Sequence, residues 1–374
     1  LYREYLRILA RFEPPVFVME NVKGLLSSKI DGEPVFEQIL HDLTAPALAL
    51  RSAFGSHRRE RTPRQYQVFS LAVDGDSQNL KPQDFVVYTE KFGIPQKRHR
   101  VILLGVRSDV SRPAGSVLRK KLELTVGAVL SGLPKLRSRL SQEPDSPEAW
   151  REALRGGLDD GLMDFLDRDI GAAIRTAIAG NGSIPPVGGR FVPRSGHKTA
   201  KSQSDWFSDS RLDGFCNHES RPHIREDLYR YVFVSCFGLV KGISPRLCSF
   251  PKALLPDHKN VDEAVKQVYG YFSDRFRVQL SGAPAATVTS HIAKDGHYFI
   301  HHDPGQCRSW TGREAARVQT FPDNYFFEGT RTEQYRQVGS AVPPLLALQI
   351  AGIVASIIQT NMQHASDAGQ RTFA

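Results

Sequence analysis

The sequence predicts an α/β protein, a doubly wound sheet of parallel strands joined to a second, smaller domain of irregular structure. Three observations carry this reading. Short unbroken apolar runs, Val16-Phe17-Val18-Met19 and Val101-Ile102-Leu103-Leu104, suit strands covered on both faces. Such runs alternate with helical patterns, as they do in βαβ units. The length, 374 residues, exceeds the usual size of one domain, and the texture of the chain changes near residue 130.

Residues 1–12 place Leu1, Tyr5, Ile8, Leu9 and Phe12 on one helical face. Pro14-Pro15 end that helix. The first strand follows and closes on Glu20-Asn21, at the carboxyl end that faces the ligand crevice in open α/β sheets. Residues 34–43 read as a second amphipathic helix, and 51–64 as an exposed basic loop containing Arg58 and Arg59. Strands are expected at 66–73, 85–88 and 101–106.

From about 133 to 281 the chain is rich in Gly, Pro, Ser and Arg. Helical stretches stand out there only at 149–178 and 226–240, and 180–189 is loop-like. Thr311-Gly312-Arg313-Glu314 has the spacing of a capping box, which predicts a helix through Gln319. A turn is expected from Gly339 to Pro344, then a closing helix to about Gln359. Its apolar stretch, Leu345 to Ile358, is too short to span a bilayer and reads as a buried helix, so no membrane partner is expected. The expected division is 1–130, 131–284 and a return segment 285–374 that completes the first domain.

Composition narrows the function. Hydrophobic residues at 40% and charged residues at 24% exclude wholesale disorder. A formal charge of +9 suits a polyanionic partner. Four cysteines without a CxxC pair exclude a disulfide scaffold and suit a reducing compartment. His218 and His223 invite a zinc reading, but Cys216 alone cannot complete such a site, so no metal is expected.

Three segments carry the chemistry: PVFVMENVKGL (15–25), FGIPQKRHRVILLGVR (92–107), and REAARVQTFPD (313–323) with YRQVGSAVPPLLA (335–347). In order and spacing they resemble the cytosine-C5 DNA methyltransferase family, with its Glu-Asn-Val strand end, Gln-x-Arg-x-Arg segment, variable recognition domain, Arg-Glu helix and Gly-Asn-x-Val turn. The resemblance covers residues 1–107 and about 285–360. It implies a Rossmann-like methyltransferase sheet, with 131–284 as the DNA-recognition domain. It implies transfer of a methyl group from S-adenosylmethionine to C5 of a cytosine flipped out of duplex DNA.

That chemistry makes definite demands. C5 of cytosine becomes nucleophilic once a thiolate adds to C6 and charge moves to N3 and O2, so the site needs a proton donor and a cation there. By resemblance Glu20 serves N3, its pKa raised by partial desolvation. Arg100 serves O2, and Arg98 orients Glu20 or holds a phosphate. Arg98 and Arg100 stand two apart, so in an extended segment they point the same way. Asn21, Gln337, Gly339, Ser340 and Val342 are the expected cofactor contacts, although Ser340 stands where the family has Asn. Gln96, which supports its loop, and Arg58, Arg59, His218 and Arg221 are the expected DNA contacts. Arg313-Glu314 reads as a structural helix start, and His99 as a surface or core residue. The resemblance also implies a cognate restriction endonuclease as partner and a bacterial cytoplasmic, nucleoid-associated location.

Two family parts have no counterpart here: the Phe-x-Gly-x-Gly cofactor loop and the Pro-Cys nucleophile loop. No Pro-Cys dipeptide occurs, and none of Cys216, Cys236, Cys248 and Cys307 precedes the Glu-Asn-Val block. The first residue is Leu, inside a helical pattern. The expectation is an N-terminally truncated enzyme, inactive alone, needing a complementing N-terminal polypeptide. The alternative is a non-catalytic DNA-binding remnant or the recognition subunit of a split methyltransferase.

Overall fold

The computed structural model describes residues 2–54, 64–157, 166–180, 182–194, 204–257, 261 and 273–371. The chain divides into two compact units. One comprises Leu1–Gly93, Arg98–Leu122 and Leu345–Ala374; the other comprises Ile94–Lys97 and Glu123–Pro344. The expected return segment is therefore divided, with Leu345–Ala374 in the first unit and 285–344 in the second. The second unit, expected to be the smaller, is the larger. Its core explains why, since Val288, Ile292, Phe299 and Trp310 pack with Val126, Leu130, Phe207 and Phe215.

The first unit is built on a four-stranded sheet. Strands β1 (Val16–Val22), β2 (Tyr66–Ser70) and β3 (Val86–Tyr88) all pair with β4 (His99–Arg107). Every one of these pairings is antiparallel, which corrects the expected parallel sheet. The link from Tyr88 to His99 contains one short helical turn, Thr89–Phe92. A parallel crossover takes a dozen or more residues, so the chain turns back on itself. The α/β class stands.

The apolar run in β4 is buried on both faces, as its sequence requires. Val101 and Leu103 join a core with Phe17, Phe36, Ile39, Leu43, Val68 and Phe85. Ile102 and Leu104, on the opposite face, are buried too. Gly105 lies across from Phe17, where a Cβ would come within 2.1 Å of the Phe17 ring.

Helix Tyr2–Phe12 buries Leu6 and Leu9, with Tyr2 and Tyr5 packed beside them. Ile8 and Phe12 are exposed, so the buried face is turned from the expected one. The helix expected at 34–43 is Val35–Thr44, and Pro46–Phe54 forms another. The closing helix is longer than expected, Pro344–Arg371. It is tied to the loop after β4 by Asn361, which donates to the Ser111 carbonyl at 2.7 Å and accepts from its amide at 2.8 Å. Leu346, Ile350 and Ile357 are buried, but Leu348, Ile358 and Met362 are exposed, so the helix is one-sided rather than buried. The stretch Arg331–His364 is long and apolar enough to cross a membrane, by length and composition alone.

The second unit has two cores. One surrounds helix Arg225–Lys241, against which helices Pro147–Gly156 and Arg168–Ala179 pack. The other holds helix Gly312–Val318, whose Thr311–Glu314 capping box forms as expected. Strands Gly188–Pro193 and Gly214–Glu219 make an antiparallel ribbon. Gly339 and Ser340 belong to helix Arg331–Ser340, not to a turn.

Candidate active site

Glu20 is the fifth residue of β1, and Val22 lies opposite Arg100 of β4. Side chains alternate along a strand, so Glu20, Val22 and Arg100 share one face, with Glu20 and Arg100 diagonal neighbours. Arg100 Nε reaches Glu20 Oε1 at 3.0 Å, with side-chain exposures of 16% and 30%. Arg100 Nη1 also donates to the His99 carbonyl at 2.9 Å, which fixes the guanidinium plane.

Arg98 is buried, and its amide donates to Thr89 Oγ1 at 3.1 Å. Burial, and then the like charge of Arg100, draw the Arg98 pKa down to about 10, while Glu20 opposes the fall. It therefore remains a cation at neutral pH. The three expected residues are thus brought together, and Arg100 is the one ion-paired with Glu20. Asn21 Oδ1 accepts from the amide of Val22 at 2.8 Å.

Beneath this pair lies a contact that sequence reasoning missed. His99 Nε2 donates to Glu90 Oε1 at 3.0 Å. The Tyr88 ring lies 4.6 Å from the His99 ring, and Lys91 Nζ stands 4.9 Å from the Tyr88 centroid. The signal was available: an acid and a histidine nine apart flank a turn closed by Gly93, whose φ is +76°.

The other expected residues lie elsewhere. Gln96 belongs to the second unit, where its carbonyl accepts from the Val288 amide at 3.1 Å and its amide donates to the Val318 carbonyl at 3.2 Å and to Gln319. It supports its loop as expected, but is fully buried and cannot meet DNA as built. His218 is also wholly buried. Its Nε2 donates to the Pro134 carbonyl at 2.8 Å, and its Nδ1 pairs with Thr311 Oγ1 at 2.9 Å. Burial pushes its pKa down to about 4, so the ring is neutral. Arg221 is spent on the carbonyls of Lys294 and Ile292, and stacks over Tyr335 at 4.0 Å. His218 and Arg221 thus hold the second unit together, and the expectation that they read DNA is corrected. Arg58 and Arg59 lie outside the described residues.

Gln337 donates to the Glu328 carbonyl at 2.9 Å. At Gly339 a Cβ would sit 2.3 Å from the Thr289 carbonyl carbon, so this glycine is a packing requirement. Ser340 and Val342 are exposed. These second-unit residues do not make a cradle for S-adenosylmethionine by themselves: one amide is engaged, and the glycine is pressed on backbone.

The thiols fit the nucleophile no better. All four cysteines are in the second unit. Burial pushes Cys236 up to about 12 and raises Cys307 further, so both are inert thiols at neutral pH. Arg313 and Glu314 are structural as expected. Glu314 takes both Arg308 nitrogens at 2.6 Å, and Arg313 donates to the carbonyls of Cys216 and Tyr325.

The family model of C-5 cytosine-specific DNA methylases matches residues 1–45 and 234–355. A type II methyltransferase of Bacillus paralicheniformis, M.Bpa9945I, is 33% identical over 362 residues, covering 96% of this chain and 64% of that protein. A DNA (cytosine-5-)-methyltransferase of Aeropyrum pernix, M.ApeKI, is 26% identical over 388 residues, covering 96% of this chain and 75% of that protein. A type II methyltransferase of Thalassovita gelatinovora, M.AgeI, is 46% identical over 80 residues, which is 21% of this chain and 18% of that protein. The chain thus spans a little under two thirds of the Bacillus relative. By these matches the chain belongs to the C-5 cytosine-specific DNA methylase family.

Proposed function

We propose that this chain supplies the base-activating part of a DNA (cytosine-5-)-methyltransferase. The observation that carries the proposal is the Glu20–Arg100 pair. A carboxyl group and a guanidinium held side by side match the two adjacent positions, N3 and O2, on the edge of a cytosine. Glu20 faces N3, and Arg100 holds the charge that gathers on O2 when a nucleophile adds to C6. Arg98, a buried cation whose charge acts on both, favours that negative charge. Such a site acts on a base that has left the duplex, so the target cytosine is flipped. S-adenosylmethionine is the methyl donor proposed on family grounds, and the nucleophile is proposed to come from a Pro-Cys segment that this chain does not contain. Residues 131–284, within the second unit, are proposed to read the DNA site, with a restriction endonuclease acting on the same sequence and a cytoplasmic setting.

The test is Glu20→Gln in a preparation that also contains the Pro-Cys and Phe-x-Gly-x-Gly segments. Methyl transfer should fall by about 10²–10⁴, the usual worth of a positioned acid, with DNA affinity nearly unchanged. Unchanged turnover would refute the N3 role.

A second reading rests on the sequence: with no Pro-Cys dipeptide in it, the chain alone is a non-catalytic DNA-binding remnant or the recognition subunit of a split enzyme. Both readings require duplex binding that weakens steeply with salt, roughly as the 0.9 power of salt for each phosphate contacted. A flat salt response would sink both.

A further inference from the structure

We propose that Glu90 and His99 are positioning residues, a buried brace that sets Arg100 against Glu20. The inference rests on the reading of Glu20 and Arg100 given above, and extends it to residues on the other side of the strand.

His99 and Arg100 are consecutive in β4, so their side chains leave opposite faces. The register opposes Tyr88 to His99 and Val87 to Arg100. On the His99 side, Nε2 is held by Glu90 Oε1 at 3.0 Å, and the ring is packed on Tyr88. On the other side, Arg100 bonds the carbonyl of His99 itself and reaches Glu20. The amide of Arg98 is tied to Thr89, the residue before Glu90. Residues 98, 99 and 100 are therefore each fixed by a separate contact. Two of those contacts come from the single turn Thr89–Phe92. A guanidinium on four rotatable bonds loses entropy when it is held, and a strand end frays. A clamp on the preceding residue reduces both costs at once.

The cost of the arrangement supports a functional reading. Glu90 is buried, and its Oε2 has no hydrogen-bond partner among the described residues. A half-satisfied buried carboxylate destabilises a fold relative to an apolar side chain of similar size. Stability alone does not explain its presence at the foot of the candidate site. Holding the strand end in register does.

The test reads Arg100 directly, without assuming any reaction. The Nε–H proton of Arg100, on the nitrogen that pairs with Glu20 at 3.0 Å, gives a resolved signal in a nitrogen-labelled sample, and its exchange with water reports how often the pair opens. In Glu90→Ala the exchange should quicken by about tenfold, the worth of one hydrogen bond, with the melting curve still cooperative. Glu90→Gln keeps an acceptor for His99 and should restore slow exchange. His99→Ala, at a half-exposed position, gives the same reading if Glu90→Ala does not fold. Unchanged Arg100 exchange in folded Glu90→Ala or His99→Ala protein overturns the proposal. In a preparation competent for methyl transfer, Glu90→Ala should lower kcat with the KM for DNA unchanged. Quickened exchange with unchanged kcat would leave the brace standing and refute the role given to Arg100.

Discussion

Glu20 and Arg100 meet because a strand has a period of two. Glu20 and Val22 share a face, Val22 is registered on Arg100, and a diagonal neighbour is within reach of a long side chain. The pair was legible as residue types, but which arginine takes the carboxylate was not. That choice depends on Arg98 lying just before β4, with its amide on Thr89, and no spacing rule contains it. Gly339 shows the reverse. Its place in a Gly-x-x-Val segment suggested a turn near a cofactor, whereas it lies inside a helix against the backbone of Thr289 and Ser290. Gly339→Ala gains about 1 kcal/mol of helix propensity and loses about 1–3 kcal/mol to overpacking. The net expectation is destabilisation, read as a lower denaturant midpoint with unchanged slope. A raised midpoint would show that the Thr289 backbone gives way.

At the scale of elements, helix Gly312–Val318 is the best anchored. Its capping box was legible from four letters, since Thr and Glu three apart satisfy two amides reciprocally. What surrounds it was not legible. His218 caps Thr311 from 93 residues away, and Arg308 forks onto Glu314 in the same core. These partners make the unit sensitive to acid. His218 is held neutral with a folded pKa of about 4 against 6.5 unfolded, first by burial. Below 6.5 the unfolded chain takes up the proton and the folded one does not, so stability falls as pH drops toward 4. The size is on the order of 3 kcal/mol for this fully buried ring. The other buried histidines, His223, His297 and His301, and the half-buried His302, are lowered by burial with the same sign. Glu314 is raised by burial but lowered more by Arg308, so its contribution is present above 4.5 and is lost as acid protonates it. Thermal melts should therefore show a falling midpoint from pH 6.5 downward. A midpoint constant between pH 7 and 5 would contradict this account of the core.

At the scale of the molecule, the α/β class and the segments carrying chemistry could be read from buried runs and motif order. Strand direction and the allotment of 285–344 could not. Direction follows from the length of a connection, and the allotment from which apolar faces meet. The closing helix makes the same point, since its apolar run gave its existence but not its exposed side. The central claim is that Glu20 and Arg100 activate a cytosine. Bisulfite sequencing tests it most directly, because it maps 5-methylcytosine without knowledge of the recognised site. The measurement would compare DNA from cells expressing this chain, together with the Pro-Cys and Phe-x-Gly-x-Gly segments, with DNA from cells expressing Glu20→Gln in the same setting. The account predicts 5-methylcytosine at one short recurrent sequence for the native protein and its near-complete loss for Glu20→Gln. Equal methylation by both proteins would contradict it.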